Sequence, residues 1–299
     1  MALPSRSLNH GIGWLDRPKS NAPRPESERR AADFWGSRIS SLDRVLERLE
    51  EKGLPTSPLT VETVNKIDLM HMGAAASTDE LIRLGPITAA DRVLDAGCGI
   101  GGTSRRVASL TGASVTGLDI TPEAVEAAIA INAATGMNDL VNIHLGTSTA
   151  MPFDDGSFDV VLVQHCAMQI EAKADLVAQC RRVLRKGGRL MFHDWFLGGN
   201  QPVIFPVPWA ADEDTSFLEP LADMIARLES AGFVVEPFID QKTQALGWLR
   251  EVGDSIRERK EQHRELTETQ INNQSISNTM IPNLRDERLR VGFLIATAQ

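Results

Sequence analysis

Ten residues, Val93-Leu94-Asp95-Ala96-Gly97-Cys98-Gly99-Ile100-Gly101-Gly102, constrain the fold of this chain more than any others. They read as an apolar strand that runs into a glycine-rich turn. A helix then starts near Thr103 and carries Arg105, Arg106 and Val107. Glycines suit a backbone that must turn sharply and pass close to a ligand, because no Cβ stands in the way. The helix start behind them offers free N–H groups and a partial positive charge. The turn therefore suits a nucleotide-like ligand that carries an anionic group.

Gly97, Gly99 and Gly102 also satisfy G-x-G-x-x-G, so a dinucleotide remains formally open. Two carboxylates shift the balance. Asp95 lies two residues before the first glycine, where it repels a pyrophosphate and suits an ammonium group. Asp119 ends the next apolar run, Ser114-Val115-Thr116-Gly117-Leu118-Asp119, where it can accept both hydroxyls of a ribose. S-adenosylmethionine has an ammonium, a carboxylate and a ribose, and no pyrophosphate.

Four ordered segments resemble the class I S-adenosylmethionine-dependent methyltransferases. Asp95-Ala96-Gly97-Cys98-Gly99-Ile100-Gly101 resembles their first motif, and Leu118-Asp119-Ile120-Thr121 the acidic loop after their second strand. Met151-Pro152-Phe153-Asp154-Asp155-Gly156-Ser157-Phe158-Asp159 is similar to their "LPF.D.SFD" segment. Arg182-Val183-Leu184-Arg185-Lys186-Gly187-Gly188-Arg189-Leu190 is similar to "RVLkPGG.l". The resemblance covers roughly residues 60 to 299. It implies an α/β fold, a doubly wound, Rossmann-like mixed sheet of seven strands that ends in an antiparallel hairpin.

Strands and helices alternate from residue 85 onward, as a parallel sheet with helices on both faces requires. Strands are predicted at Arg92–Ala96, Ser114–Asp119, Val141–Leu145, Asp159–Val163 and Arg189–His193. Gly187-Gly188 should end the helix that runs from Ala172 to Leu184, and Thr121-Pro122-Glu123 should open and cap another. Residues 1–30, rich in Pro, Ser, Asn and Arg, read as a disordered or loosely docked tail. Residues 31–84 read as a helical cap. It holds a helix over 31–52 with Leu42, Val45, Leu46 and Leu49 on one face, another capped by Thr60, and a short one at Ser77–Leu84. Residues 85–299 form the main domain. A lid is predicted over 196–230, around the proline-rich run Phe205-Pro206-Val207-Pro208-Trp209. A helix at Pro220–Ser230, a strand at Phe233–Glu236, a helix at Lys242–Glu265 and a strand at Leu289–Thr297 complete the chain.

With 299 residues, a net charge of −9 and a pI near 5.2, the chain offers little prior for tracking a nucleic-acid backbone. It shows no apolar stretch long enough to span a bilayer and no signal-peptide core. Neither nucleic acid nor membrane is expected as a partner, and self-association into a homo-oligomer stays open. Its three cysteines, Cys98, Cys166 and Cys180, fit neither a zinc pattern nor a disulfide framework, and no metal ligand set is visible. Reduced thiols suit a cytoplasmic protein. There is no tyrosine, so any proton chemistry must use other side chains.

Ligands of open α/β sheets bind at the carboxyl ends of the strands. After the fourth strand the chain reads Gln164-His165-Cys166-Ala167-Met168-Gln169-Ile170-Glu171. This is similar to the "QH..MNI.DK" segment of small-molecule members, among them relatives of sarcosine and dimethylglycine N-methyltransferases. It lacks the Asn/Asp-Pro-Pro-aromatic motif of members that modify nucleobases or glutamine. His165 is the leading general-base candidate, because its ordinary pKa lies near neutrality. His193 and Glu171 are the others, and His193-Asp194 reads either as an oriented acid–base pair or as a capped strand end.

The resemblance implies cofactor contacts from Asp95, Gly97, Cys98, Gly99, Gly101, Asp119, Ile120, Thr147, Ser148 and Gln164. His71 joins them through Met70-His71-Met72-Gly73, which resembles the cofactor-covering "HxG" segment. Family members often carry Asp, which binds the adenine amino group, where this chain has Thr147. Trp209, Phe205, Trp195 and Met168 are candidates for the acceptor wall, and aromatic faces also stabilise cations. The expected activity is N-, O- or C-methylation of a small, partly apolar metabolite, as in secondary metabolism. The alternatives are C-methylation of an isoprenoid diphosphate with Mg²⁺, an NAD-dependent oxidoreductase, and a catalytically silent binding module.

Overall fold

A computed structural model describes residues 25–36, 41–199, 201–261 and 268–299. In chain order the elements are α1 (Glu26–Gly36), α2 (Leu42–Glu51), α3 (Val61–Asp68), α4 (Ala74–Leu84), β1 (Arg92–Ala96), α5 (Gly102–Thr111), β2 (Ser114–Asp119), α6 (Pro122–Ala134), β3 (Val141–Leu145) and β4 (Phe158–Gln164). They continue with α7 (Lys173–Val183), β5 (Leu184–Leu197), α8 (Leu221–Ser230), β6 (Phe233–Val235), β7 (Ile239–Asp240), α9 (Lys242–Glu261), α10 (Glu268–Arg285) and β8 (Leu289–Ala298).

The strands form one sheet in the order β3-β2-β1-β4-β5-β8-β6, with the short β7 also paired to β8. β1 to β5 run parallel, while β8 is antiparallel to β5, β6 and β7. This is the expected doubly wound mixed sheet, extended by one two-residue strand. Successive side chains of a strand face opposite sides, so continuous apolar runs such as Val160-Val161-Leu162-Val163 supply two cores at once. Leu94, Val161, Val163 and Phe192 pack with Leu176 and Cys180 of α7 and with Met224 and Leu228 of α8. Val93, Val160, Leu162 and Met191 pack on the other face with Leu81 of α4 and Val107 of α5. Each such aliphatic side chain contributes about 1.5–3 kcal/mol of burial.

The cap differs in detail from its sequence reading. α1 begins at Glu26, inside the segment expected to be a tail, and residues 1–24 lie outside the described ones. The helix expected over 31–52 is two helices, and α2 buries Val45 and Leu49 as its period requires. The Thr60 hydroxyl accepts the Thr63 N–H at 3.2 Å, so that cap is present. Thr121 makes no side-chain cap; Asp119 Oδ1 accepts the Thr121 N–H at 2.9 Å instead.

Gly187 and Gly188 lie within β5 and do not terminate α7, which already stops at Val183. A Cβ on Gly188 would meet the Arg185 carbonyl oxygen at 2.9 Å, so that close turn demands glycine. Arg182 reaches back to the Met151 and Phe153 carbonyls at 2.8 and 2.7 Å. This contact ties two of the recognised motifs together. α10 was not anticipated at all. Of the expected lid, α8 packs into a sheet core through Leu221, Met224 and Leu228, which leaves the loop of residues 201–220 to cover the site.

Candidate active site

A single cavity of about 1100 Å³ opens at the carboxyl ends of β1, β2 and β4. One half is walled by Asp95, Gly97, Cys98, Gly99, Asp119, Ile120, Thr147, Ser148 and Gln164. The other half is walled by Met168, Glu171, Trp195, Trp209, Trp248, Leu249, Ile276 and Met280, and His71 and His165 also line the cavity. Ser27, Glu28, Ala31 and Trp35 of α1 reach it as well.

The glycine turn is built tightly. Gly97 has φ +86°, and a Cβ there would lie 2.7 Å from the Cys166 side chain. Its N–H and that of Cys98 both donate to the Leu118 carbonyl, at 2.7 and 3.1 Å, which stitches the turn to the end of β2. The Gly99 N–H donates to Asp119 Oδ2 at 2.8 Å. Asp95 is buried and accepts the Ser104 hydroxyl at 2.6 Å. Burial pushes its pKa up to about 6, against the lowering effect of Ser104. Burial also raises Asp119, although the Thr121 and Gly99 N–H groups oppose the shift.

Beneath the turn, Arg105 pairs with Asp68 at 2.8 Å with both side chains fully buried. It also donates to Asn132 Oδ1 at 2.7 Å and to the Ile100 carbonyl at 2.5 Å. The glycine loop thus rests on a guanidinium that the sequence displayed only as the first turn of a helix.

Three imidazoles gather at the boundary of the two halves. The His165 ring lies 4.6 Å from that of His193 and 5.8 Å from that of His71, centroid to centroid. Burial lowers all three, His71 to about 4 and the other two well below the usual histidine range, with the neighbouring imidazoles adding to the shift of His165. All three are therefore neutral near pH 7. The Trp195 indole N–H donates to His165 Nδ1 at 3.0 Å. An indole N–H can only donate, so Nδ1 must hold a lone pair and the single proton sits on Nε2. His165 Nε2 is buried without a protein partner. Nδ1 is thus already occupied by the indole, which leaves no free lone pair there for the general base expected from its ordinary pKa. Its backbone, at φ +52°, is held by a bond from its N–H to the His193 carbonyl at 2.8 Å.

Four further expectations are corrected. His193 does not reach the cavity wall: it is fully buried, stacked on Phe293 with ring centroids 4.4 Å apart, and its Nδ1 lies 3.1 Å from Gln164 Nε2. Asp194 is not its acid–base partner. Its carboxylate accepts the N–H groups of Cys166, Ala167 and Trp195 at 3.2, 2.7 and 2.7 Å, which fixes the turn after β4. Gly101 is the αL residue before α5, turned toward Arg105 and away from the cavity. Phe205 packs behind the wall in the cluster that holds Trp195 and Trp209, one layer from the cavity.

In the second half, the Trp195 and Trp209 rings lie 5.6 Å apart at 30°. Trp209 is 1 % exposed and its indole N–H donates to the Ser216 hydroxyl at 3.0 Å. Gln169 accepts the Trp35 indole N–H at 2.5 Å and donates to the Trp209 carbonyl at 2.9 Å. Glu28, Trp35, Trp248, Leu249, Ile276 and Met280 escaped the sequence reading. Their helices approach the site from distant parts of the chain, and no local motif marks them.

These features define a class: an open α/β sheet with a carboxylate-flanked glycine turn at its switch point. Residues 94–192 match the family described as a methyltransferase domain. That stretch carries a methyltransferase domain of the class I, S-adenosylmethionine-dependent kind. The chain is 36 % identical over 99 residues to ajmaline N-methyltransferase of Rauvolfia serpentina, an alignment covering 33 % of this chain and 34 % of that one. The chain thus spans about a third of that relative's length. Its fold is like that of the Haemonchus contortus phosphoethanolamine N-methyltransferase 2, with a TM-score of 0.71 at 19 % identity, over 90 % of this chain and 60 % of that one. It is also like the Streptomyces coelicolor geranyl diphosphate C-methyltransferase, with a TM-score of 0.69 at 17 % identity, over 93 % of this chain and 100 % of that one. The methyltransferase-domain match over the glycine turn speaks against the dinucleotide alternative. Among the described residues, no helix is long and apolar enough to cross a membrane.

Proposed function

We propose that the protein transfers the methyl group of S-adenosylmethionine to a small, largely apolar metabolite. The observation that carries this reading is the single cavity that joins the Asp95–Asp119 glycine turn to a wall of tryptophan and methionine. At about 1100 Å³ it exceeds the roughly 300–1000 Å³ usual for one small ligand, as two ligands side by side require.

Asp95 faces the cofactor's ammonium, the backbone of Gly97 and Gly99 lets it approach closely, and Asp119 accepts the ribose hydroxyls. Ile120 and Ser148 flank the base. The sulfonium methyl then lies at the boundary where His165, Met168 and Trp195 meet. Methyl transfer needs an in-line approach, so these walls act mainly by orienting the acceptor and excluding water. His165 lines this boundary, with Nδ1 held by Trp195. Glu171, exposed on the same wall, is the side chain placed to receive a proton from the acceptor. Cys98, Cys166 and Cys180 are free, and burial raises all three thiols, which suits a reducing compartment such as the cytoplasm.

C-methylation of an isoprenoid diphosphate is the second reading, favoured by the paired indoles of Trp195 and Trp209, whose faces would stabilise a carbocation. Transfer of labelled methyl from S-adenosylmethionine to a panel of phenols, amines and prenyl diphosphates tests both. Turnover of a neutral aromatic or amine, lowered about a hundredfold or more by Glu171→Gln, is the expected result. Turnover confined to prenyl diphosphates in the presence of Mg²⁺ selects the second reading, and failure to bind S-adenosylhomocysteine overturns both.

A further inference from the structure

We propose that Glu28, on α1, is the residue that reads the adenine ring. This deepens the cofactor reading above and rests on it. β3 pairs with β2 so that Leu145 lies opposite Asp119, and the Gly146 N–H donates to the Asp119 carbonyl at 2.8 Å. The turn that follows β3 is therefore the immediate neighbour of the ribose-binding carboxylate. A base attached to that ribose extends over Ile120 toward this turn.

What meets it there comes from far away in the sequence. The hydroxyls of Thr147 and Thr149 both donate to Glu28 Oε1, at 2.8 and 2.5 Å, across 119 and 121 residues. The same two hydroxyls lie 2.8 Å from each other, so the turn and Glu28 form one small polar cluster. A carboxylate only accepts, and with about four lone-pair sites it has capacity left for an amine. Adenine presents an exocyclic amine with two donors, and hypoxanthine presents a carbonyl oxygen at the same position. A half-buried carboxylate therefore favours the first and repels the second. α1 buries no residue fully; Trp35 packs on the cluster of Trp195 and Trp209, and Glu28 makes only polar contacts at the other end of the helix. For the same reason, substitution at Glu28 leaves the fold intact.

Calorimetric titration of the full chain with S-adenosylhomocysteine and with its deaminated analogue, S-inosylhomocysteine, tests the proposal. The wild type should prefer the adenine compound by about tenfold or more, the scale of one charge-assisted hydrogen bond. Glu28→Ala should weaken S-adenosylhomocysteine about tenfold and bring the two affinities together. Glu28→Gln, whose amide can donate as well as accept, should regain part of the lost affinity without the preference. An unchanged preference in Glu28→Ala, or a wild type that binds both compounds equally, overturns the proposal while leaving the cofactor reading standing. A wild type that binds neither compound removes the cofactor reading itself.

Discussion

The two halves of the cavity are made differently. The centre of the cofactor half, the glycine turn with its two carboxylates, is written in one stretch of chain, Asp95 to Asp119, and its parts are backbone geometry and buried charge. The acceptor half draws Trp35 from α1, Met168 from the turn after β4, Trp195 from β5, Trp209 from a loop, Trp248 from α9 and Met280 from α10. It is an apolar surface with few polar fixtures. A site of the first kind tolerates little change because each atom is placed by its sequence neighbours. One of the second kind can be reshaped one side chain at a time, which is how a shared chemistry acquires different acceptors.

The strongest way to break this contrast is to remove what lies beneath the glycine turn. Arg105→Met leaves Asp68 buried without its partner. The expected loss is about 3–5 kcal/mol of stability, together with S-adenosylhomocysteine binding. Chemical denaturation and calorimetry check this, and a small loss would mean that the cofactor half is as forgiving as the acceptor half.

A pH series sharpens the comparison with a smaller effect. The carboxyl of Asp95 titrates at about 6 in the unliganded fold, above its ordinary 3.8. The free fold therefore loses stability from this group as pH rises from about 4 to 6, because the unfolded chain ionises first. An ammonium group needs the ionised form, so affinity for S-adenosylhomocysteine should rise as pH climbs through 6 and then level off. It should be about tenfold weaker at pH 5 than at pH 7. Calorimetry across that range reads the slope, and Asp95→Asn should flatten it. A flat wild-type profile would take Asp95 out of the ammonium site.

The smallest effect belongs behind the acceptor wall. Phe205→Leu conserves most of the apolar volume and should cost less than about 1.5 kcal/mol, with acceptor preference unchanged. Thermal melts and the acceptor panel check it. A changed preference would move Phe205 back to the wall.

Legibility followed the same division. β1, β2 and β3 have the bounds read from their apolar runs, and the glycine turn announced the site, because those features depend on residues adjacent in sequence. α10 was missed because its apolar residues show little helical period and Pro282 lies inside it. The surroundings of His165 were illegible for a different reason. Its ordinary pKa says nothing of an indole N–H thirty residues away that fixes which nitrogen holds the proton. Gly187-Gly188 suggested a helix stop, but their use is a close turn within a long strand. Glu28 lay in what reads as a tail, where composition alone gives no reason to look for a site.

Glu28 and Trp35 are seven residues apart, two turns of helix, so they project from the same side of α1 about 10.5 Å apart along its axis. One is bonded to the turn after β3 and the other to Gln169 in the acceptor half. α1 therefore works as a ruler laid across both chambers. One residue added between its two marks would swing one of them through about 100°, and the helix could then meet one chamber or the other but no longer both.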